Sequence, residues 1–241
     1  MDKPTRSSPL ENRLLAALPK AEFQRLAPYL IEVSLSLGQI LSEPQDRVEV
    51  VYFPTRSMIS LVSIMEDGST VEVGIVGNDG MLGYPVYLGG DSSHTRAIVQ
   101  IEGTAFQLNG DLLRSEFNRS PSLQRLLLLY TQAFLAQVSQ TAACNRFHPV
   151  EERLARWLLQ SQDFAGSEKL HLTQDFLSSM LGIRRASVTV AARTLQQAGM
   201  INYNRGKITI VDRAGLEAAT CECYQIVRRE YERLLGFLEK L

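Results

Sequence analysis

Apolar and polar positions change their spacing along the chain, and each spacing predicts a different kind of element. After a loose tail at residues 1–9, apolar positions between Leu10 and Leu30 predict one or two short helices interrupted by Pro19 and Pro28. From Ile31 to about Leu108 the spacing predicts short strands separated by turn segments such as EDGS and GNDG. Many short strands in succession predict a sandwich or jelly roll, which we call the β roll.

A long helix is predicted after the β roll. Ser120 is a good N-cap, Pro121 suits the first turn, and neither Gly nor Pro follows until after Asn145. Its apolar stripe consists of Leu123, Leu126, Leu127, Tyr130, Phe134, Val138 and Thr141, and it is widened by Leu128, Leu129 and Leu135. A stripe this wide favours two partners, the β roll on one side and the same helix of a second subunit on the other. The residues assigned to the contact with the second subunit are Leu123, Leu127, Tyr130, Phe134, Val138 and Thr141. A single internal connector helix is the alternative.

Residues from Leu172 to Val211 have the pattern of two short helices around a tight turn, followed by a hairpin. Thr173 is a suitable N-cap for the first helix, and Gly182 ends it because glycine permits a left-handed turn. Helical spacing resumes from Arg184 to Gln197, and the alternating residues that follow predict a hairpin with its turn at Asn204–Gly206. The pattern is that of a winged helix-turn-helix.

Two further helices are predicted around the winged motif. Val150–Phe164 follows a break at His148-Pro149 and carries an amphipathic pattern. After the hairpin, Ala214 to Leu241 predicts one helix, whose apolar side is formed by Leu216, Ala219, Cys223, Ile226, Val227, Tyr231, Leu234 and Leu238.

Positive charge is concentrated in the winged motif. The segment from Arg184 to Arg213 contains six cationic residues against Asp212 alone, a local charge of +5, whereas the whole chain has a net charge of −1. Arg185 and Arg193 lie on the side of the second helix opposite to its apolar face, as does Thr189. Because DNA phosphates attract such a surface, the motif predicts DNA binding through a local patch. A winged helix that mediates only protein contacts is the alternative.

Composition indicates a globular protein outside membranes. With 241 residues, 45% apolar and 21% charged, the chain suits one or two globular domains. It has no run of about 18 apolar residues, and the start MDKPTRSSPLENR lacks the apolar core of a signal peptide. We therefore expect a cytoplasmic protein.

The three cysteines, Cys144, Cys221 and Cys223, give no support for a disulfide framework, because their number is odd and only two of them are close in sequence. A Cys-x-Cys pair on a helix would point its thiols to nearly opposite sides. With no histidine or further cysteine near the pair in sequence, we expect ordinary reduced thiols and no metal site.

An enzymatic role has little support. The β-roll glycines form neither a phosphate loop nor a dinucleotide-binding motif. A jelly-roll enzyme of the cupin kind needs clustered metal ligands, whereas His94, His148 and His171 are far apart in sequence and two lie outside the roll. We expect a protein that is not an enzyme.

The order of β roll, long helix and winged helix-turn-helix resembles the Crp/Fnr superfamily of bacterial transcription regulators. The resemblance depends mainly on LTQDFLSSMLGIRRASVTVAARTLQQAGMI and the wing NRGKITI, with support from ISLVSIMEDGSTVEVGIVGNDGMLG in the roll. It implies an α+β chain with an antiparallel sensor roll at residues 10–119, a dimerisation helix at 120–146 and a winged DNA-binding domain at 147–241. It also implies a homodimer that binds a pseudo-palindromic operator, with one recognition helix in each half-site.

The resemblance assigns roles in DNA binding. Arg185, Ala186 and Val190 occupy positions where family members commonly place base-reading side chains, although a glutamate is frequent at the second position and an arginine at the third. Arg185 suits guanine, and the other two suit at most a thymine methyl. Val190 could instead be buried. The remaining candidates are phosphate contacts: Thr173, Arg184, Ser187, Thr189, Arg193, Arg205 and Lys207.

The effector side departs from the family pattern. Cyclic-nucleotide-binding relatives have Gly-Glu and Arg-Ser pairs, but here Gly83 precedes Tyr84, and the Arg-Ser position falls at His94-Thr95 with Arg96 one step late. A shift of one residue turns a strand side chain to the other face. Gly83, Tyr84, His94, Thr95 and Arg96 are therefore assigned to a weak effector pocket, and we expect His94 to lie in an exposed loop. The sequence identifies neither the effector nor a cofactor. Iron–sulfur members need four cysteine ligands, and no histidine or cysteine is placed for a haem.

We therefore expect a dimeric, sequence-specific DNA-binding transcription regulator, with RNA polymerase as a further partner, whose β roll lacks the usual cyclic-nucleotide cassette. The alternative is a ligand-binding or scaffolding module with no role at DNA.

Overall fold

The computed structural model describes residues 7–167 and 169–236. The first six residues of the predicted tail, Glu168, and the end of the predicted C-terminal helix, including Leu238, lie outside these ranges. No helix among the described residues has the length and apolar character needed to cross a membrane. The chain forms two compact units, Met1–Ile59 with Val76–Thr131 and Ser60–Ile75 with Gln132–Leu241.

Two short helices begin the first unit, as the prolines predict. They are α1 (Arg13–Ala16) and α2 (Lys20–Leu26), preceded and followed by the 3-10 turns Pro9–Glu11 and Ala27–Tyr29. Asn12 caps α1 by accepting hydrogen bonds from the amides of Leu14 and Leu15 at 3.1 and 3.2 Å. Its side-chain amide donates to the carbonyls of Pro54 and Gly80, both at 2.9 Å, and so fastens the helix to the roll.

Seven strands form the β roll: β1 (Ile31–Leu35), β2 (Ile40–Ser42), β3 (Val50–Pro54), β4 (Met58–Ile64), β5 (Thr70–Val76), β6 (Arg96–Ile101) and β7 (Gly103–Asn109). One sheet has the order β1-β7-β3 and the other β2-β6-β4-β5. The pairings β1–β7, β3–β7 and β2–β6 are antiparallel. Val51 and Phe53 alternate into the core at 0% and 2% exposure, which is the period-two pattern of a half-buried strand. The predicted antiparallel roll is confirmed.

Helices α3 (Pro85–Leu88) and α4 (Gly110–Arg119) were not among the predicted elements, whereas the long helix α5 (Pro121–Phe147) was. The Ser120 hydroxyl accepts from the amide of Leu123 at 3.4 Å, as expected of an N-cap. In the first unit, the Tyr130 hydroxyl donates to the Met81 carbonyl at 2.8 Å.

The second unit contains the end of α5 and the winged motif. Its further elements are α6 (Val150–Ala165), β8 (Lys169–His171), α7 (Gln174–Leu181), α8 (Arg185–Gln197), β9 (Ile201–Asn204), β10 (Lys207–Ile210), α9 (Arg213–Ala219) and α10 (Cys223–Leu235). The wing is a three-stranded sheet in the order β8-β10-β9, with antiparallel pairing throughout. The predicted helix pair and hairpin are confirmed, and β8 is an additional strand.

Helix α6 lies at the centre of the second unit's core. Leu154 and Leu158 are completely buried, as is Val188 of α8. Trp157 donates its indole N–H to Glu72 Oε1 at 3.0 Å, and the Ser60 hydroxyl hydrogen bonds to Oε2 of the same carboxyl. Burial of this carboxyl raises the pKa of Glu72 from 4.5 to about 7, because the charged form loses its hydration.

The prediction of one continuous helix after the wing is wrong. Helix α9 ends at Ala219, with an extended backbone at Thr220 (φ −84°, ψ 157°), and α10 begins at Cys223. Cys221 and Cys223 therefore do not share a helix, and the expectation that a helical Cys-x-Cys pair points its thiols apart does not apply. The consequence for the cysteines is described below.

Candidate nucleic-acid interface

The turn between α7 and α8 is built as the sequence predicts. Thr173 accepts a hydrogen bond from the Phe176 amide at 3.2 Å and so caps α7. Gly182 ends α7 in the left-handed region (φ 61°), where a Cβ atom would lie only 3.0 Å from Val71. Arg184 is extended and precedes α8 as its N-cap. The glycine thus allows the chain to turn sharply into the second helix.

Helix α8 has a buried face and an exposed face. Val188, Ala191, Ala192 and Leu195 are at most 3% exposed. On the other face, Arg184, Arg185, Ala186, Val190 and Arg193 are exposed, and Ser187 and Thr189 are half-buried. Val190 is 60% exposed, so the option that it is buried is wrong. All three candidate base-reading side chains are accessible from solvent.

Side chains of α7 position Arg185 at the start of α8. Gln174 Oε1 accepts from Arg185 Nε at 3.4 Å and from the Thr189 hydroxyl at 3.1 Å. Asp175 Oδ1 lies 3.4 Å from Arg185 Nη1, and both side chains are well exposed at 72% and 63%. An exposed pair of this kind contributes little to stability, so the guanidinium can exchange the carboxylate for a base or a phosphate.

The wing ends in a tight turn whose tip is basic. Arg205 and Gly206 both have positive φ, at 47° and 77°, as a two-residue type I′ hairpin turn requires. Arg205 and Lys207 are exposed. The Leu172 amide donates to the Gly206 carbonyl at 2.8 Å, and the Tyr203 hydroxyl donates to the Leu172 carbonyl at 3.1 Å. These bonds tie the wing to the segment just before α7.

Arg213, which was counted above in the positive patch, is bound by side chains of the protein itself. It donates to Asp163 at 2.8 Å, to Glu217 at 2.9 Å, to Gln162 at 2.7 Å and to the Tyr224 hydroxyl at 2.9 Å. Including it in a DNA-facing charge of +5 was therefore wrong. The accessible cations of the motif are Arg184, Arg185, Arg193, Arg205 and Lys207.

The five effector-pocket residues have separate local roles. Gly83 (φ 107°) is packed so closely that a Cβ atom would lie 2.7 Å from Val51, and Tyr84 precedes α3 as its N-cap. Thr95 is buried, His94 is exposed as expected, and Arg96 forms a 2.9 Å ion pair with Glu43. The cation nearest in sequence to the family's phosphate-binding position is therefore paired with a carboxylate of the roll.

The residues assigned to the dimer interface lie mainly in the chain's own core. Leu123, Leu127, Tyr130, Phe134 and Thr141 are at most 6% exposed, and Val138 is half-buried. A Cβ atom on Gly74 would lie 2.8 Å from the Phe134 ring, and Thr141 accepts from Arg156 at 2.8 Å. These five buried side chains cannot also face a second subunit, so assigning them to the interface was wrong. The exposed leucines of α5 are Leu128 (47%) and Leu135 (60%).

The cysteines lie together, contrary to the expectation from sequence. The Sγ atoms of Cys144 and Cys221 are 3.6 Å apart, and Cys223 Sγ is 3.3 Å from His148 Nδ1. We call Cys144, His148, Cys221 and Cys223 the Cys3His cluster. A hydrogen bond between the thiols of Cys144 and Cys221 lowers the pKa of Cys221 and raises the pKa of Cys144. The spacing Cys144-x3-His148, one helical turn at the end of α5, was the signal that could have pointed to it.

The comparisons with known proteins agree with this architecture. The described chain combines a β roll, a long helix and a winged helix-turn-helix whose second helix has an exposed cationic face, so its C-terminal part belongs to the winged-helix class of folds. Residues 152–219 match the family model of the Crp-like helix-turn-helix domain. The chain has the fold of solved Crp/Fnr-family regulators and contains a Crp-like helix-turn-helix domain, which confirms the resemblance and the α+β class.

Solved structures support the fold over most of the chain. FixK2 from Bradyrhizobium japonicum is 17% identical with a TM-score of 0.68, over 80% of this chain and 98% of that one. The Crp/Fnr-family regulator TTHA1359 from Thermus thermophilus is 22% identical with a TM-score of 0.63, over 78% and 97%. CLP from Xanthomonas campestris, described as a c-di-GMP responsive global regulator, is 14% identical with a TM-score of 0.64, over 80% and 99%. No curated protein sequence matches the chain significantly.

Proposed function

We propose that the protein is a homodimeric, sequence-specific transcription regulator that binds a pseudo-palindromic operator, with one α8 helix in each half-site. The observation that carries the proposal is the exposed face of α8, where Arg185, Ala186 and Val190 are all accessible beside exposed cations. Arg185 can contact guanine through two hydrogen bonds, and the two apolar side chains can contact thymine methyl groups. Phosphate contacts are assigned to Thr173, Arg184, Ser187, Thr189, Arg193, Arg205 and Lys207.

The β roll is proposed to work without a cyclic nucleotide. Arg96, the nearest candidate for a cyclic phosphate, is paired with Glu43, and Tyr84 stands where the family's ribose-binding glutamate is expected. Adding cyclic AMP or cyclic GMP should therefore leave the melting temperature and the DNA affinity unchanged. A regulator of this kind needs RNA polymerase as a partner and no catalytic step, and it acts in the cytoplasm, where its DNA is.

The decisive test is selection of bound sequences from a random DNA pool, followed by fluorescence anisotropy on the selected site and on random DNA. We expect a pseudo-palindromic sequence and much tighter binding to it. We also expect binding to weaken steeply with salt, because phosphate contacts release counterions. Equal affinity for both DNAs at every salt concentration would contradict the proposal.

Replacing Arg185 with alanine is expected to weaken binding to the selected operator by about 1–3 kcal/mol per half-site, or roughly 5- to 150-fold, because two hydrogen bonds to guanine are lost. The preference at one base position of each half-site should relax as well, which competition with singly substituted operators would measure. Arg47→Ala, which removes an exposed arginine from the β roll, is the matched control. If both variants weaken binding equally and keep the base preference, Arg185 does not read a base.

Lys207→Ala is expected to lower the slope of log affinity against log salt by about 1 for each half-site, since one phosphate contact is removed. Arg213→Ala removes the same charge from a position held by Asp163 and Glu217, so it should lower the melting temperature and keep the salt slope. Salt titrations monitored by anisotropy compare the two. A reduced slope in Arg213→Ala alone would reverse the assignment.

A further inference from the structure

The Cys3His cluster joins two parts of the second unit that are distant in sequence. Cys144 lies in the last turn of α5 and His148 follows that helix, while Cys221 and Cys223 lie at the break between α9 and α10. The two contacting cysteines are 77 residues apart in the chain. All three cysteines are at most 5% exposed, and the His148 side chain is 18% exposed. The cluster is therefore a closed site in the protein interior.

We propose that Cys144, His148, Cys221 and Cys223 bind one zinc ion in a closed, tetrahedral site. The four possible ligand atoms all lie within 4.8 Å of one another. Zinc–sulfur bonds of about 2.3 Å in a tetrahedron require ligand atoms roughly 3.8 Å apart. The distances of 3.6 Å between Cys144 and Cys221 and 3.3 Å between Cys223 and His148 are close to this requirement. Three thiols and one imidazole are a ligand set that structural zinc sites use.

The histidine is oriented as a zinc ligand needs. Its Nδ1 atom faces the Cys223 sulfur, and its Nε2 atom lies 3.3 Å from Glu222 Oε2. Zinc-binding histidines usually donate their other N–H to a carboxylate, a backbone carbonyl or a water, which fixes the tautomer and the ring orientation. The Gln140 amide also donates to Cys223 Sγ at 3.1 Å. Glu222 and Gln140 thus act as positioning residues for the ligands.

Charge near the cluster favours a metal–thiolate complex. Zinc with three thiolates and a neutral imidazole carries one net negative charge, and the three thiol protons leave to solvent on binding. Arg153 and Arg156 are buried on α6 at 8% and 7% exposure, and both interact electrostatically with Cys144. Arg153 Nε and Arg156 Nη1 have no hydrogen-bond partner among the described residues. A buried anion beside these guanidinium groups would offset part of their cost of burial.

The cluster's size favours a single ion over the other cysteine chemistries. An iron–sulfur cluster places several iron and sulfide atoms between its cysteine ligands, which needs a wider cage than ligand atoms within 4.8 Å provide. A Cys144–Cys221 disulfide would use only two of the four side chains and would leave the oriented pair of His148 and Glu222 without a role. A zinc ion uses all four and ties the break between α9 and α10 to the end of α5.

The test is metal analysis of the full-length protein, purified under reducing conditions without a metal-affinity tag. We expect one zinc per chain and a clear loss of melting temperature when a strong chelator removes it. Cobalt added to the metal-free protein should give the intense visible bands of tetrahedral cobalt with thiolate ligands. Less than 0.1 metal ion per chain, together with no cobalt spectrum, would overturn the proposal, and so would iron with sulfide or a Cys144–Cys221 disulfide in the purified protein.

Matched variants separate the site from general folding. His148→Gln should shift the cobalt bands and weaken zinc binding, because one of the four ligands is lost while the three thiolates remain. His94→Gln, at an exposed histidine of the roll, should leave both unchanged. Glu222→Gln should weaken zinc binding by about 10- to 100-fold in a competition assay with a coloured chelator, because the histidine loses its orienting carboxylate. Glu232→Gln, an exposed glutamate on α10, should have no effect. Equal zinc affinity in both glutamate variants would show that Glu222 does not position the histidine. Unchanged zinc affinity and an unchanged cobalt spectrum in His148→Gln would overturn the proposed ligand set.

Discussion

Glutamine in place of Glu72 is expected to stabilise the protein by about 3 kcal/mol above pH 7 and to have little effect near pH 4.5. The Glu72 carboxyl is 5% exposed and hydrogen bonded to Trp157 and Ser60. Its burial raises the pKa to about 7 from an ordinary value of 4.5, so the folded chain prefers the neutral acid. Glutamine is neutral at every pH, can accept from Trp157 through its oxygen, and can donate to the Ser60 hydroxyl.

The direction of the pH dependence follows from proton binding. Between about pH 4.5 and pH 7 the folded state keeps the Glu72 proton while the unfolded state loses it. The free energy of unfolding therefore falls as the pH rises through this window and becomes level above it. For Glu72→Gln this decline should disappear. Denaturant unfolding at several pH values between 5 and 8 measures both curves.

A surface glutamate provides the control for this prediction. Glu66→Gln changes an exposed carboxyl in the turn between β4 and β5, so its curve should run parallel to that of the unchanged protein. If Glu72→Gln destabilises the protein at pH 8, the buried carboxyl is charged in the folded state and its hydrogen bonds outweigh the cost of burial.

Local signals in the sequence were sufficient for most of the fold. Thr173 and Gly182 mark the ends of α7 because each satisfies a backbone requirement within a few residues of itself. The same holds for Ser120 and Pro121 at the start of α5. The strands of the roll followed from alternation with turn residues between the runs. Strand β8 was missed because three residues are too few to show a period, and it is paired through β10.

The break between α9 and α10 had no local signal. Neither Gly nor Pro occurs between Gly215 and Gly236, and the helical spacing of apolar residues continues through the break. The structure stabilises it by contacts from elsewhere in the chain, since the Thr220 hydroxyl lies 3.4 Å from the Glu152 carbonyl and Cys221 contacts Cys144. Such contacts override helix propensity. For the same reason the Cys3His cluster could not be assembled from sequence spacing around the Cys-x-Cys pair alone.

The sequence also could not predict which neighbours the apolar stripe of α5 contacts. Periodicity showed that the stripe is wide enough for two partners, but it could not tell which part faces the chain's own core. The structure points Tyr130 at the Met81 carbonyl and Phe134 at Gly74, which leaves Leu128 and Leu135 exposed. These two leucines are seven residues apart, or about two helical turns, and so lie on one face of the helix. We propose this face as the contact with a second copy.

Changing both Leu128 and Leu135 to glutamate is expected to convert the proposed dimer into a monomer and to weaken binding to the full operator by about 100-fold or more. In a two-fold interface each glutamate is repeated by its symmetry mate, so four carboxylates would be brought together in place of four leucines. Binding through two linked half-sites exceeds single-site affinity by a factor of about 10² to 10⁴, and a monomer loses this factor. Analytical ultracentrifugation measures the mass, and anisotropy compares the full operator with an isolated half-site.

Half-site affinity should be unchanged in this double variant, because the α8 surface is not altered. Leu88→Glu is the control, since Leu88 at the end of α3 is 47% exposed, as Leu128 is, but lies outside α5. This control should remain dimeric with full operator affinity. A double variant that stays dimeric would place the interface elsewhere on the chain. A monomeric variant that keeps full operator affinity would show that one subunit binds the whole site, which would contradict the arrangement of one α8 helix in each half-site.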